Sequence, residues 1–466
     1  MAANYTADAH YDLIIIGAGS GNSIPTPDFD NWSIAIIEEG RFGGTCMNVG
    51  CIPTKMFVLA ADTAFDAANS ERLGLYTEFR SANWQAIKER IFTNRIDLIA
   101  AGGEEYRRSE ASRNVEVYDR HASFIAPKTL KTGQGGEEKV ITGDTIIIAA
   151  GARPFVPDWA ADVPVHTSDD IMRLEHQPES LTIVGGGFIA MEFAHIFNSL
   201  GTKVRIVNRS PFLRALDADI TAAFNRIADD TYEVHKGRTV VKAEGDDSSA
   251  TLTLDDGSTV TSEKLLIATG RVPNGDQLNL GAAGVETNGT QVAVDEFGRT
   301  SAEGVWALGD ISSPFQLKHV ANAETRAVRH NILHPDDMVA MPHQNVPFAV
   351  FTHPQIATVG LTQQEAVDAG FDVTAKIQNY GDVAYGWGLE DSTGIVKLVA
   401  DRSTGKLLGA HYMGPQASTL IQQMITVLAH GIDLRTMPRG QYWIHPALPE
   451  VTENAILGLD LKFPEV

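Results

Sequence analysis

The chain has 466 residues, of which 59 are Asp or Glu and 37 are Lys or Arg, giving a formal net charge of −22. A surface this acidic lacks the basic footprint that nucleic acid or an anionic membrane requires, so neither is expected as a partner. With 43% hydrophobic and 21% charged residues the chain is a folded globular protein with room for roughly three domains, and no run reaches the ~20 apolar residues of a bilayer span. The polar start, residues 1–10, lacks the basic-then-apolar layout of a signal peptide, which points to the cytoplasm.

The apolar run at 11–16 reads as a buried parallel strand and leads into Gly17-Ala18-Gly19-Ser20-Gly21-Asn22; a second strand, 33–37, ends on Glu38. This is the outline of a dinucleotide-binding fold. Glycines let the backbone approach a pyrophosphate, and an acidic residue about 20 positions on holds a ribose hydroxyl. By itself such a loop is equally an ordinary glycine turn. Asn22 takes the third glycine position and Pro25 and Pro27 follow, so the first helix is expected to be short or irregular.

The chain's 2 cysteines stand together in Gly43-Gly44-Thr45-Cys46-Met47-Asn48-Val49-Gly50-Cys51-Ile52-Pro53-Thr54-Lys55. No second Cys pair or compact Cys/His cluster exists to complete a structural zinc site, and no metal is expected. In a reducing compartment a lone close pair points to redox chemistry; the alternative is two small core residues. In a regular helix residues i and i+5 have Cα atoms about 8 Å apart, beyond the ~7 Å a disulfide spans. A distorted turn is therefore needed, which Gly50 and Pro53 permit, with Thr45 as the expected helix cap. Near a helix N-terminus, Cys46 is the thiol expected to ionise more readily.

A helical segment at 84–108 and a turn-rich β stretch at 115–140 come next, closing on a strand and the turn Gly151-Ala152-Arg153-Pro154. The dinucleotide pattern then returns: a strand at 181–184, Gly185-Gly186-Gly187-Phe188-Ile189-Ala190, a helix to 200 and a strand at 203–207. Where an acidic residue would select NADH stands Asn208, followed by Arg209 and Arg214. Guanidinium groups suit a 2′-phosphate, so NADPH is the expected nicotinamide cofactor. A matching strand and turn recur at 265–271, ending in Gly270-Arg271, and from about residue 345 the texture becomes β-rich, with an apolar helix at 417–430. This last part reads as a separate α+β domain.

The segment 43–55 closely resembles the redox motif of the class I flavoprotein pyridine nucleotide-disulfide oxidoreductases, the glutathione reductase-like family. The resemblance covers essentially the whole chain. Val305-Trp306-Ala307-Leu308-Gly309-Asp310 looks like the second FAD motif, Phe351-Thr352-His353-Pro354 like the opening of the dimerisation domain, and His445-Pro446-Ala447-Leu448-Pro449-Glu450 like the terminal signature. It implies an α/β fold with two Rossmann-like dinucleotide-binding domains, for FAD and NADPH, plus a C-terminal α+β dimerisation domain. The implied divisions are an FAD domain with the Cys pair at 1–155, an NAD(P)H domain at 156–275, a central segment completing the FAD domain at 276–344, and the dimerisation domain at 345–466.

By the same resemblance Cys46 is the thiol that attacks the substrate disulfide and Cys51 the one that lies against the flavin. Lys55 is implied near the flavin, paired with Glu192, and Phe188 as the aromatic that gates the nicotinamide. Glu38 is implied on the adenosine ribose, Ala122 by the adenine and Asp310 on the ribityl chain. Gly17, Gly19, Ser20, Gly44, Thr45, Gly151 and His319 complete the implied FAD contacts. Gly185, Gly187, Ile189, Ala190, Gly270, Arg209 and Arg214 are those for NADPH. His445, oriented by Glu450, is implied as acid and base, delivered across a homodimer interface. No cysteine follows Cys51, so the dithiol meets a small disulfide directly. The glycine loop and the run 206–210 look most like members acting on mycothiol disulfide. Lipoamide- and glutathione-linked members are the alternatives, and a non-catalytic flavin redox sensor is the alternative of a different class.

Overall fold

Leu13-Ile14-Ile15-Ile16 is apolar at every position because this strand is covered on both faces. In the computed structural model, which describes residues 5–463, it lies in β1 (Ala9–Ile16). The first four residues of the polar start and the last three of the chain lie outside the described residues. β1, β2 (Ile34–Ile37) and β3 (Val115–Tyr118) run parallel, with Leu13 opposite Ile34 and Ile34 opposite Val115. The meander β4 (Ser123–Ala126), β5 (Thr129–Gln134) and β6 (Glu137–Ile148) returns the chain so that β6 lies parallel to β1 on its other side.

Two 3₁₀ turns, Gly21–Ser23 and Pro27–Phe29, stand after β1 where a long helix would ordinarily follow. Pro27 tolerates only the first turn of a helix, which is where it sits. The shortened loop is gripped from outside: Arg107 donates from Nε to Asn22 Oδ1 and from Nη2 to Asn22 O, both at 2.8 Å. Arg107 belongs to the helical segment α3 (Trp84–Lys88), a π-helical stretch Glu89–Ile96, and α4 (Asp97–Arg108).

The redox segment forms α1 (Gly44–Asn48) and α2 (Cys51–Ala68), broken at Val49-Gly50. α2 carries Phe57, Val58 and Ala61 into a core shared with Met191 and Ala194 of α5 (Phe188–Ser199). That packing fixes the face of α2 on which Lys55 stands. α5 follows β8 (Ser180–Val184), which with β9 (Lys203–Asn208), β10 (Glu233–Lys236) and β14 (Lys264–Ile267) makes a second parallel sheet, order β10-β9-β8-β14. Between β10 and β14 lies an antiparallel three-stranded sheet of β11 (Val240–Asp246), β12 (Ser249–Leu254) and β13 (Thr259–Ser262). The two turns singled out in the sequence meet, since β7 (Ala152–Pro154) pairs with β15 (Arg271–Pro273), Arg153 opposite Val272. The strand Val305–Ala307 then returns to the first sheet beside β6, Val305 opposite Ile146.

A five-stranded antiparallel sheet with the helices Ala417–His430 and Pro449–Leu457 ends the chain. Its core is large and apolar, with Tyr380, Tyr412, Ile421 and Val451 all buried. No helix among the described residues is long and apolar enough to cross a membrane.

Candidate active site

At the C-terminal ends of β1, β2 and β6 lies a cavity of about 570 Å³, within the range of cofactor sites. From the first glycine loop it takes Gly17, Gly19 and Ser20; from the end of β2, Glu38; from the redox segment, Gly44, Thr45, Cys46, Cys51 and Lys55. Ala122, Gly151 and Asp310 line it from the rest of the first sheet, and Phe188, Ile189 and Glu192 from α5. Gly185, Gly187, Ala190 and Gly270 lie outside this lining, around the second sheet. So does His319, whose Nε2 is within 2.7 Å of Pro347 O. Its ring is held there by the loop that leads into the final domain.

The cavity wall is narrow where a pyrophosphate would pass. Gly44 has φ +68°, and a Cβ on it would lie 2.6 Å from Gly19 Cα, so the two backbones approach only because Gly44 lacks a side chain. Gly44→Ala combines that contact with left-handed strain and is expected to cost about 2–4 kcal/mol locally. The measurable outcome is a several-fold fall in bound flavin per chain, read from visible absorbance, with the secondary structure retained.

Glu38 accepts from Ala18 N on Oε2 and from Gly40 N on Oε1, each at 2.9 Å, while burial pushes its carboxyl above the usual range. Asp310 is likewise pushed up by burial, against the opposing pull of Arg271 and Lys318. Asn48 spends Nδ2 on the carbonyls of Arg41, Phe42 and Gly44, and its buried Oδ1 has no partner. A cradle of paired glycines, two half-buried carboxyls and an unfilled acceptor fits FAD. Glu38 would hold its ribose and Asp310 its ribityl chain. Bound there, FAD supplies the two-electron exchange between nicotinamide and disulfide that no side chain can carry.

The break between α1 and α2 is what unites the cysteines. Gly50 packs against the α1 backbone so closely that a Cβ would lie 2.9 Å from Thr45 O. The thiols come within hydrogen-bond reach of each other instead of standing apart on one regular helix. Thr45 does not cap: the N-cap of α1 is Gly43, with Thr45 inside the turn. The start of the long helix also falls on the other thiol. Cys51, not Cys46, is the first residue of the 18-residue helix, and Cys46 sits within a 5-residue turn. The Cys46 thiol donates to Cys51 and the Lys55 ammonium attracts it, bringing Cys51 down to about 7. The same bond, together with burial, pushes the Cys46 thiol up.

Lys55 reaches across to α5, with Nζ 2.8 Å and 2.6 Å from the two Glu192 oxygens. Glu192 is buried and accepts a further bond from Phe351 N at 3.0 Å, and the ammonium lies 4.8 Å from the Phe351 ring centroid. Phe351 was marked in the sequence only as the start of a later domain; here it orients the pair. Removing Lys55 alone would strand a buried carboxylate. Lys55→Met is expected to destabilise the fold by about 3 kcal/mol in denaturant titration, and Lys55→Met/Glu192→Met to recover most of it. Lys55→Met also raises the Cys51 thiol above about 7.

Near the second sheet Asn208 is buried and donates from Nδ2 to Ser210 O. Arg209 and Arg214 are exposed, and neither has a hydrogen-bond or ion-pair partner among the described residues. In the final domain His445 Nδ1 is 2.8 Å from Glu450 Oε1, and Glu450 Oε2 accepts from Ala447 N at 3.1 Å. That imidazole is 69% exposed, holds Glu450 below the usual carboxylate range, and does not line the cavity of its own chain.

A family profile described as pyridine nucleotide-disulphide oxidoreductase matches residues 11–327, and the dimerisation domain of the same family matches 346–456. The chain belongs to this family, NAD(P)H-dependent flavoprotein disulfide reductases that bind FAD. A homodimer and a small-molecule disulfide substrate go with that membership. The chain is 50% identical over 460 residues to mycothione reductase of Mycobacterium tuberculosis, covering 96% of this chain and 99% of that one. Glutathione reductase of Burkholderia cepacia is 33% identical, with 88% of this chain and 91% of the other covered. Among solved structures, a copper(II) complex of the HOCl-induced flavoprotein disulfide reductase RclA from Escherichia coli superposes with a TM-score of 0.85 at 27% identity, over 96% of this chain and 99% of that chain.

Proposed function

We propose that this protein is a cytoplasmic reductase of mycothiol disulfide that draws its electrons from NADPH. The observation that carries the substrate is the 50% identity to mycothione reductase across nearly the full length of both chains. Arg209 and Arg214, exposed and uncommitted beside Asn208, support the 2′-phosphate of NADPH over NADH. The glycines Gly185, Gly187 and Gly270, with Ile189 and Ala190, form the nicotinamide nucleotide site, and Phe188 is its gate. In this reading 1–155 and 276–344 form the FAD domain, 156–275 the NADPH domain and 345–466 the dimer-forming domain.

The working pair is Cys46 and Cys51. Cys46 sulfur attacks one sulfur of the substrate disulfide; a Cys46–substrate disulfide forms, and the other half leaves as a thiolate. The partner subunit's His445, held by Glu450, takes the proton that Cys46 gives up and passes it to that thiolate. Cys51, the thiol near neutrality, then attacks Cys46 sulfur, releasing the second substrate thiol and closing the Cys46–Cys51 disulfide. Two thiols leave for each disulfide consumed, and the two electrons come from NADPH. Lys55 and Glu192 keep the charge beside Cys51 fixed while the pair changes state.

The test is NADPH oxidation by the purified flavoprotein with mycothiol disulfide, glutathione disulfide and lipoamide in parallel, repeated with NADH. Fast turnover confined to mycothiol disulfide and favouring NADPH supports the reading. Turnover chiefly with lipoamide, or better with NADH, contradicts it, and a single stoichiometric reduction without turnover identifies a redox sensor.

A further inference from the structure

Glu324 is a fully buried carboxylate that no step of the dithiol chemistry uses. It stands on the helix Lys318–Leu333, one turn along from Ala321, which lines the cavity; Glu324 itself does not. Its Oε2 accepts from Gly309 N at 2.7 Å, and its Oε1 lies 2.6 Å from His343 Nε2. Burying a carboxylate is costly unless it is paired and hydrogen-bonded, and an apolar residue of similar volume would pack the helix without that cost. What the charge holds in place is therefore the informative feature.

One of its two partners is the residue that opens the turn carrying Asp310. Gly309 has φ +75° and begins the 3₁₀ turn Gly309–Ile311. Its carbonyl accepts from Ser312 N at 2.9 Å and from Ser313 N at 2.8 Å. With its amide on Glu324 and its carbonyl on the two serines, Gly309 has both polar groups committed, and Asp310 follows directly, facing the cavity. The other partner steadies the carboxylate. The His343 ring meets Phe315 edge-on, with centroids 5.6 Å apart, and the His343 main-chain N donates to Met341 O at 2.9 Å. We propose that Glu324, steadied by His343, is a positioning residue for FAD: through the Gly309 amide it fixes the turn that presents Asp310 to the ribityl chain. Neither Glu324 nor His343 lines the cavity, so each acts through that turn. The inference rests on the reading of Asp310 as the residue that holds the ribityl chain.

The experiment follows FAD leaving purified holoenzyme after dilution, read as bound flavin per chain over time. Asp310→Ala alone tests the underlying reading: release about tenfold faster supports it, and an unchanged rate overturns it. Glu324→Ala leaves the Gly309 amide and His343 without their acceptor and is expected to speed release about tenfold. Glu324→Gln, which keeps an acceptor for the amide, should restore most of the wild-type rate. In the Asp310→Ala background Glu324→Ala should add less than about twofold, because the side chain it positions is already gone. If Glu324→Ala fails to fold, His343→Ala carries the same comparison, with an expected acceleration of about threefold when Asp310 is present and none when it is absent. A rate unchanged by Glu324→Ala, or the full tenfold in both backgrounds, overturns the role of Glu324 while leaving that of Asp310 intact.

Discussion

Cys46→Ser is expected to retain FAD and to let NADPH bleach its visible absorbance, yet to lose disulfide turnover by roughly 10,000-fold or more. Serine keeps the size of the side chain and its place in α1 but cannot form a sulfur–sulfur bond, so no mixed disulfide with substrate exists. The loss belongs in kcat, since the serine still leaves room for substrate. Cys51→Ser fails at a different step. Its Cys46 can still attack once and remains trapped as a mixed disulfide, which mass spectrometry detects as a stable adduct. Adduct with Cys51→Ser and none with Cys46→Ser is the paired result that orders the two thiols.

His445→Gln is expected to lower kcat about 100- to 10,000-fold, the range of a lost general acid. Its hydrogen-bond partner, Glu450 Oε1 at 2.8 Å, fixes the ring while leaving most of it exposed. Glu450→Gln should cost less, about 10-fold, because the imidazole stays but loses its orienting charge. Whether the ring serves its own chain or its partner is decided by mixing. When Cys46→Ser and His445→Gln subunits are dissociated and reassociated, half of the dimers are hybrids, and each hybrid has one complete site if the histidine acts across the interface. About a quarter of wild-type activity should therefore return. If the histidine served its own chain, no site in any hybrid would be complete and activity would stay at background.

The parts of this site that were legible in the sequence are those carried by consecutive residues. The apolar strand, glycine loop and Glu38 are local, and one carboxylate oxygen of Glu38 accepts from the Ala18 amide of that loop while the other accepts from Gly40 just beyond β2. Pro25 and Pro27 likewise foretold the missing helix, and two 3₁₀ turns stand there. What escaped was the division of charge between two close thiols. The spacing places the helix N-terminus at Cys46, but the chain breaks at Val49-Gly50, and Cys51 begins the long helix. Residues that act from far along the chain were also silent. Phe351 holds Glu192 through a backbone amide, Lys318 is bonded to Ser20, and Asn48 ties three carbonyls. None of these contacts leaves a periodicity or spacing to read.

The central claim is that reducing equivalents from NADPH come to rest on the Cys46–Cys51 pair before any substrate is present. Anaerobic titration of the oxidised holoenzyme with one equivalent of NADPH, followed by alkylation under denaturing conditions and peptide mapping, tests it most directly. The account predicts that two thiols appear per chain, both in the peptide containing residues 43–55, in step with NADPH consumed. Consumption of that equivalent with the disulfide still intact would contradict it.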